Sequence, residues 1–186
     1  GRLRLGYYKR GSHRIVNLNR CPVLHPSLDA LIAPLKSDLD ASGWPADHDL
    51  LKAEGLRHLG LRLGVHTGEV LITLVSSHDR LPGLQGWAER WIERWPMVRG
   101  VTLNLQPKRS NLILGEETQL VAGDDCIRDV FCNQSLLIST TTFYQINTPQ
   151  AERIVSILCD QLLSECCSGV LIDAYCGIGT ISLPLA

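Results

Sequence analysis

The chain has 186 residues, of which 45% are hydrophobic and 20% are charged, and these proportions are typical of a globular domain and argue against disorder. No window approaches the roughly 18 uninterrupted apolar residues that a membrane helix needs. The first residues are polar and basic, where a signal peptide would be apolar. We therefore expect a soluble, cytoplasmic protein without a membrane partner.

Cysteine usage and charge narrow the class further. Seven cysteines, an odd number without a C-x-x-C pair, argue against a secreted disulfide framework and favour reduced thiols. The formal net charge of -1 gives no general nucleic-acid signal, yet no acidic residue precedes Asp29. The cations before it are Arg2, Arg4, Lys9, Arg10, Arg14 and Arg20. Such a cluster can follow a phosphate backbone, but charge alone favours an ordinary solvated strand surface.

The first half of the chain predicts strands and two helices. Residues 3–16 alternate apolar and polar side chains around a turn, which predicts a short hairpin. Residues 26–39 have the apolar spacing of an amphipathic helix. Residues 55–63 and 69–75 predict two paired strands across a glycine-bounded connection. Residues 84–95 place three tryptophans on one helical face, which indicates a core-facing helix.

Short strand-like runs follow, separated by Pro107, Gly115 and Gly123. They cover residues 98–105, 111–114, 119–122, 127–131 and 136–139. The fold class predicted for residues 1–140 is therefore a mixed α+β domain, with a largely antiparallel sheet and packed helices.

The end of the chain predicts a different architecture. Thr148 as the N-cap and Pro149 in the first turn start a helix that runs to about residue 163, and its buried stripe consists of Ile154, Val155, Leu158 and Leu162. Residues 170–173 then form a continuous apolar run, typical of a strand buried in a parallel sheet. A glycine loop follows, so residues 141–186 predict the start of a Rossmann-like domain. Such a sheet needs more strands, and we expect the natural protein to continue beyond Ala186.

The strongest local motif is the run from Asp173 to Thr180, Asp-Ala-Tyr-Cys-Gly-Ile-Gly-Thr. Glycines after a strand let the backbone approach a ligand, and the following helix offers free amide donors. A dinucleotide fingerprint would place a third glycine where this chain has Ser182, which weakens an oxidoreductase interpretation. A plain strand-to-helix turn is the alternative.

Two segments carry a resemblance to a known family. Phe143-Tyr-Gln-Ile-Asn147 and, after a helix, Leu171-Ile-Asp-Ala-Tyr-Cys-Gly-Ile-Gly-Thr-Ile-Ser-Leu-Pro184 resemble paired motifs of the RNA (uracil-5-)-methyltransferases, which make 5-methyluridine in ribosomal and transfer RNA. The likeness spans nearly the whole chain. It includes residues 6–26, Leu56-Arg-His-Leu59, Thr67-Gly-Glu69 and Asn111-Leu-Ile-Leu-Gly115, which resemble the central domain of that family.

The resemblance implies methyl transfer from S-adenosylmethionine to carbon 5 of a uridine, in ribosomal RNA or, as a second choice, transfer RNA. It places Phe143 near the target base, where a core aromatic is the alternative. Tyr175 stands where the family usually has Phe, and Thr180 where it often has Asn. The positions that it assigns to cofactor binding are Gln145, Asp173, Tyr175, Gly177, Gly179 and Thr180.

The family's nucleophilic cysteine adds to carbon 6 of uracil, and a base later removes the proton from carbon 5. The resemblance places both groups beyond this chain, so we predict no catalytic residue within it and no activity for it alone. Cys176 lies inside the glycine turn, which argues against a role as the nucleophile.

Cys21 is the one metal candidate. In family members with a 4Fe–4S cluster, the cysteine in this Cys-Pro context is the fourth ligand, and the other three lie upstream in a C-x5-C-x2-C arrangement. That arrangement is absent from this sequence, so we expect Cys21 to be reduced and without a cluster in this chain, while a 4Fe–4S cluster in the full-length enzyme stays an open alternative.

Two other classes of function stay open. One is a non-catalytic RNA-binding or interaction domain in which the Gly-x-Gly turn is incidental. The other is an S-adenosylmethionine-dependent methyltransferase that acts on a small molecule or a protein. The basic N-terminal end and Phe143 favour RNA over this last class.

Overall fold

The computed structural model describes residues 3–12, 14–46, 54–165 and 169–186. Within them the chain forms a mixed α+β fold, as predicted, in which most strand pairs are antiparallel. Arg2 of the basic cluster lies outside the described residues, as do Cys166 and Cys167. No helix in the described ranges combines the length and the apolar character that crossing a membrane requires.

The predicted N-terminal hairpin is present. β1 (Gly6–Tyr8) pairs antiparallel with β2 (Ile15–Asn17), and the amide of Lys9 donates to the carbonyl of Arg14 at 2.8 Å. The helix α1 (Pro26–Ala41) follows. Its buried stripe is the predicted one and consists of Leu28, Leu31, Ile32, Leu35 and Leu39. Full burial of each such side chain contributes about 1.5–3 kcal/mol, so packing fixes which face of α1 points inward.

The central sheet has the strand order β3-β4-β5-β6. Its strands are β3 (Leu56–Leu63), β4 (Val70–Ser76), β5 (Val98–Leu105) and β6 (Glu117–Gly123). β4 and β5 are parallel, and the other neighbours are antiparallel. The helix α2 (Leu84–Arg94) is the crossover between the parallel strands, a relationship that the sequence did not reveal. β4 is buried along its whole length, as suits an inner strand covered on both faces.

The tryptophans of α2 are only partly core residues. Trp91 is 1% exposed, and its indole nitrogen donates to Asp38 Oδ2 at 3.0 Å, which links α2 to α1. Trp87 and Trp95 pack against the same cluster but stay half-buried. The guanidinium carbon of Arg90 lies 4.2 Å from the centroid of a Trp87 ring, a cation–π contact that covers its outer face.

The strand predicted at residues 111–114 is wrong. These residues form a loop, and its carbonyls are bound by side chains instead of by a neighbouring strand. Gln106 Nε2 donates to the carbonyls of Leu112 and Leu114, at 3.2 and 3.0 Å. Asn104 Oδ1 accepts from the amide of Gly115 at 2.7 Å. Leu112 is 71% exposed, so an apolar run here does not indicate burial.

A second hairpin packs on the opposite face of the central sheet. It consists of β7 (Cys126–Phe131) and β8 (Gln134–Ser139), in antiparallel register. Along β4, Val70 and Ile72 belong to the core cluster under α1 and α2, whereas Leu71 belongs to the cluster under this hairpin. We call the latter the hairpin cluster; its buried members are Leu71, Ile127, Phe131, Leu136, Ile138, Tyr144 and Val155.

The last part of the chain contains α3 (Thr148–Glu165) and the short α4 (Ser182–Leu185). Asn147, rather than the predicted Thr148, acts as the N-cap of α3, since its Oδ1 accepts from the amide of Gln150 at 3.4 Å. Val155 is buried as predicted, but Ile154 is 58% exposed, which corrects the predicted stripe. α3 contributes to the hairpin cluster on one narrow face, because only that face meets β7 and β8.

The strand predicted at residues 170–173 is also not formed. Val170 and Ile172 are 92% and 83% exposed, and no described strand pairs with this segment. A strand requires a neighbour to bind its amides and carbonyls, and an apolar sequence alone does not supply one. The boundary at residue 140 between two domains stays a prediction; the hairpin cluster contains residues from both sides of it.

Candidate functional site

The segment 140–147, which carries Phe143 and Gln145, is fixed to the central sheet at its first residue. Arg62 Nε and Nη2 both donate to the carbonyl of Thr140, at 3.1 and 2.9 Å. Arg62 lies on β3, and burial lowers the pKa of its guanidinium. This two-nitrogen contact sets where the chain leaves β8.

The side-chain hydroxyl of Thr140 is hydrogen-bonded as well as its carbonyl. It lies 3.1 Å from the hydroxyl of Thr73 and 2.8 Å from that of Thr102, which are themselves 2.9 Å apart. All three side chains are buried. We call this group the threonine ring. It joins β4, β5 and the segment 140–147 without leaving a buried hydroxyl unpaired.

A second anchor is Tyr144. Its hydroxyl donates to Asp129 Oδ2 at 2.8 Å. The same carboxylate accepts the amides of Val65 and His66, each at 2.9 Å, so it binds the turn between β3 and β4 as well. Burial raises the pKa of Tyr144 well above its usual range, and the hydrogen bond to Asp129 adds to the shift. Tyr144 is therefore a neutral donor at physiological pH.

Because Tyr144 points inward, its neighbours point outward. Phe143 is 75% exposed and Ile146 is 94% exposed, and Gln145 is also exposed. An aromatic ring and an amide are thus displayed on a segment whose backbone is anchored on both sides. This arrangement suits contact with a planar ligand and with a hydrogen-bonding one.

The glycine loop has the backbone that its sequence predicts. Gly177 and Gly179 have φ angles of 55° and 86°, in the left-handed region that favours glycine. Asp173 Oδ1 accepts from the amide of Tyr175 at 3.2 Å, whereas Asp173 Oδ2 is buried and has no partner among the described residues. The Tyr175 side chain is 96% exposed, and Thr180 is half-buried. The loop therefore offers one unpaired acceptor and one open aromatic ring.

The structure brings the two predicted motifs to one place. Ile178 of the glycine loop packs against the hairpin cluster, which contains Tyr144 and Val155. Cys159 Sγ on α3 lies 4.0 Å from the carbonyl oxygen of Pro184, which joins the helices on either side of the loop. The segment of Phe143 and Gln145 and the loop of Asp173 to Thr180 therefore flank the same core.

Cys21 lies elsewhere, just before α1. It is 4% exposed, and its amide donates to Asp29 Oδ1 at 3.4 Å. The pKa of Tyr7 is raised by burial and by its contact with the Cys21 thiol. Nowhere in the described ranges do three or more His, Cys, Asp or Glu side chains gather as a metal-binding group. The described residues therefore do not fit an iron–sulfur cluster, which needs four thiolates.

Sequence reasoning missed the anchors Arg62, Asp129 and the threonine ring. One signal was present in β7, where Ile127, Asp129 and Phe131 alternate on the face that packs inward. A carboxylate in a core-facing position is rarely left unpaired, so it indicates a buried hydrogen-bonding partner. The identity of that partner depends on the tertiary fold.

Comparisons with known proteins show which proteins the chain is similar to. No protein-family model matches the chain. It is 65% identical over its whole length to an uncharacterized RNA methyltransferase of Parasynechococcus marenigrum, and 42% identical to one of Nostoc sp.. It is also 36% identical to one of Halalkalibacterium halodurans. The chain spans 40% of the length of each of these relatives.

A solved structure supports the fold. The crystal structure of Pyrococcus abyssi tRNA (uracil-54, C5)-methyltransferase in complex with S-adenosyl-L-homocysteine matches with a TM-score of 0.70 and 22% identity, over 93% of this chain and 41% of that one. The fold is thus one found in a methyltransferase. The chain is thus similar to part of several proteins named as RNA methyltransferases.

Proposed function

We propose that this protein uses S-adenosylmethionine to methylate carbon 5 of a uridine in RNA. The observation that carries the proposal is the joint packing of two motifs on the hairpin cluster, with Phe143, Gln145 and Tyr175 exposed beside it. The structural neighbour acts on a tRNA uracil and was solved with S-adenosyl-L-homocysteine, which supports both the substrate and the donor.

The residues present fit the cofactor. Asp173 Oδ2, which has no partner among the described residues, is an acceptor for a hydroxyl or amino group, and the exposed amide of Gln145 can both donate and accept. The ring of Tyr175 is free to pack on a planar group, with Thr180 as a further hydroxyl. Gly177 and Gly179 allow close backbone approach. When bound, the cofactor supplies an electrophilic methyl group.

The proposed task of Phe143 is to stack on a base near the target uridine, since base stacking on aromatic side chains is how proteins hold unpaired nucleotides. Ribosomal RNA is the proposed substrate and transfer RNA the second choice. The proposed setting is the cytoplasm, which agrees with free thiols at the described cysteines, Cys21, Cys126, Cys132, Cys159 and Cys176.

The proposed nucleophile and base belong to the part of the relatives that this chain does not span. Cys176 is exposed, but it lies within the cofactor loop and is not assigned that role. We therefore expect the 186-residue chain alone to transfer no methyl group. Methyl transfer by the chain that is lost on Cys176→Ser would contradict this assignment.

The direct test is incubation of the whole protein with methyl-labelled S-adenosylmethionine and unmodified ribosomal or transfer RNA, followed by nucleoside analysis. We expect label in 5-methyluridine, and a much lower rate for Phe143→Leu than for the matched surface variant Ile157→Leu on α3. Label in a nucleoside other than 5-methyluridine would show that the protein methylates a different atom of the RNA. Label in protein or small molecules, with none in RNA, would overturn the proposal in favour of a different methyltransferase.

A further inference from the structure

The N-terminal hairpin carries charge of one sign only. Every charged residue before Asp29 is a cation. Those that the structure describes, all exposed, are Arg4, Lys9, Arg10, Arg14 and Arg20. Arg20 pairs with Asp29 at 3.0 Å, but Lys9, Arg10 and Arg14 form no ion pair within the described part of the chain. No described acidic side chain therefore neutralises these three cations at the hairpin tip.

Aromatic side chains adjoin this charge. Tyr7 and Tyr8 on β1 are 57% and 41% exposed, and Val16, opposite Tyr7 on β2, is 49% exposed. The sheet has only two strands, so little of its surface is covered. Exposed rings beside lysine and arginine are the combination by which proteins hold single-stranded nucleic acid, with cations on phosphates and rings on bases.

The base of the hairpin is fixed while its tip is open. The amide of Leu3 donates to Asp40 Oδ1 at 2.6 Å, and the Leu3 side chain packs against the core under α1. Beyond β2, Asn19 Oδ1 accepts from Lys36 Nζ at 2.8 Å. Both ends of the hairpin are thus tied to α1. A surface held in this way loses little conformational entropy when it binds.

We propose that the hairpin of residues 6–17 binds a single-stranded segment of the RNA substrate, at a site separate from Phe143. Lys9, Arg10 and Arg14 contact phosphates, and the ring of Tyr7 stacks on a base. The inference rests on the proposed function only in taking RNA as the partner. The charge of the hairpin favours RNA over a protein, because no described acidic side chain pairs with the three tip cations to give a surface of mixed charge.

The test measures binding of the full chain to a labelled oligouridine of about 16 nucleotides by fluorescence anisotropy, over a range of salt concentrations. The variant Arg10→Ala/Arg14→Ala removes two tip cations. Arg80→Ala/Arg153→Ala removes two exposed cations elsewhere and is the matched control. We expect the hairpin variant to reduce the slope of log Kd against log salt by about 1.4, and the control to leave it unchanged. Equal changes in both variants would overturn the proposal.

Tyr7→Leu keeps an apolar strand residue and removes the ring. We expect it to weaken binding roughly 5-fold or more without changing the salt slope, since stacking is uncharged. Unchanged affinity would remove Tyr7 from the site. Polyglutamate that displaces the RNA as well as unlabelled oligouridine does would assign the hairpin to an acidic protein surface instead.

Methylation assays separate this inference from the proposed function. Whole protein that fails to make 5-methyluridine while the chain still binds RNA through the hairpin contradicts the function and leaves the inference standing. Whole protein that methylates RNA with the same KM after Arg10→Ala/Arg14→Ala contradicts the inference alone.

Discussion

Tyr144 and Asp129 are joined by a 2.8 Å hydrogen bond that links the segment between β8 and α3 to the middle of β7. The carboxylate also binds two amides of the turn between β3 and β4. One buried side chain therefore positions three parts of the chain. Because Tyr144 points toward it, Phe143 and Gln145 are directed to the surface.

Tyr144→Phe tests this anchor. The substitution keeps the ring in the hairpin cluster and removes the hydroxyl donor. A hydrogen bond to a carboxylate contributes about 1.5–3 kcal/mol, so we expect the free energy of unfolding to fall by that amount. Tyr175→Phe is the matched control, with an expected change below about 0.5 kcal/mol because its side chain is exposed. Urea unfolding of both variants is the measurement. Equal losses of unfolding free energy in the two variants would show that the hydrogen bond from Tyr144 to Asp129 does not stabilise the fold.

His58 on β3 gives the fold a predictable pH dependence. Burial, with the nearby charge of Arg57, lowers the pKa of His58. The unfolded chain, where a histidine has a pKa of about 6.5, therefore binds the proton more readily than the folded protein. The contribution of the neutral His58 side chain to the free energy of unfolding is therefore fully present above about pH 6.5, and it is lost as the pH falls below that value.

We accordingly expect the urea midpoint to be lower at about pH 5 than at about pH 7.5, and this difference to shrink in His58→Gln. A difference of equal size in His58→Gln and the parent would show that other groups cause the acid sensitivity.

Asn104 holds the loop between β5 and β6. Its side-chain amide is within 3.1 Å of the carbonyls of Gly115 and Glu117, and its Oδ1 accepts the amide of Gly115. Asn104→Ala would leave these groups unpaired, and we expect a loss of about 2–4 kcal/mol in the free energy of unfolding. Asn111→Ala, at an exposed site in the same loop, should change it by less than about 0.5 kcal/mol. A similar loss in both variants would mean that the loop is not held by Asn104.

Gln145→Ala tests the cofactor assignment in the whole protein. Loss of one hydrogen bond of about 0.5–1.5 kcal/mol should weaken binding of S-adenosylmethionine roughly 2- to 15-fold. Isothermal calorimetry is the measurement. Gln161→Ala, at an exposed glutamine of α3, is the control and should bind as the parent does. Unchanged affinity in a folded Gln145→Ala variant would exclude this residue from the site.

The parts of the fold that could be predicted are those in which local pattern and burial agree. The stripe of α1 and the alternation of β7 show their buried faces directly in the sequence. The runs at 111–114 and 170–173 have strand-like composition, but no neighbouring strand binds their backbone in the described structure. Composition indicates what a segment can do, whereas pairing depends on distant residues.

In the candidate site too, local backbone features could be predicted from the sequence and long-range contacts could not. Gln145 and Tyr175 are assigned to the candidate site only by the family resemblance. The left-handed φ angles of Gly177 and Gly179 agree with a sequence that requires glycine there. Asp129 and Arg62 act across 15 and 78 residues of sequence, respectively. No local pattern specifies such contacts.

The threonine ring has a consequence for how this sequence can vary over evolution. Each hydroxyl can donate to one of the other two and accept from the second. Replacing one threonine by valine therefore leaves the other two with a single hydrogen bond between them and a buried donor or acceptor unused, whereas replacing all three leaves no hydroxyl there. Single changes at Thr73, Thr102 or Thr140 should be purged, while a joint change to apolar residues should be tolerated. We therefore expect the residues at these three positions to co-vary among homologous sequences.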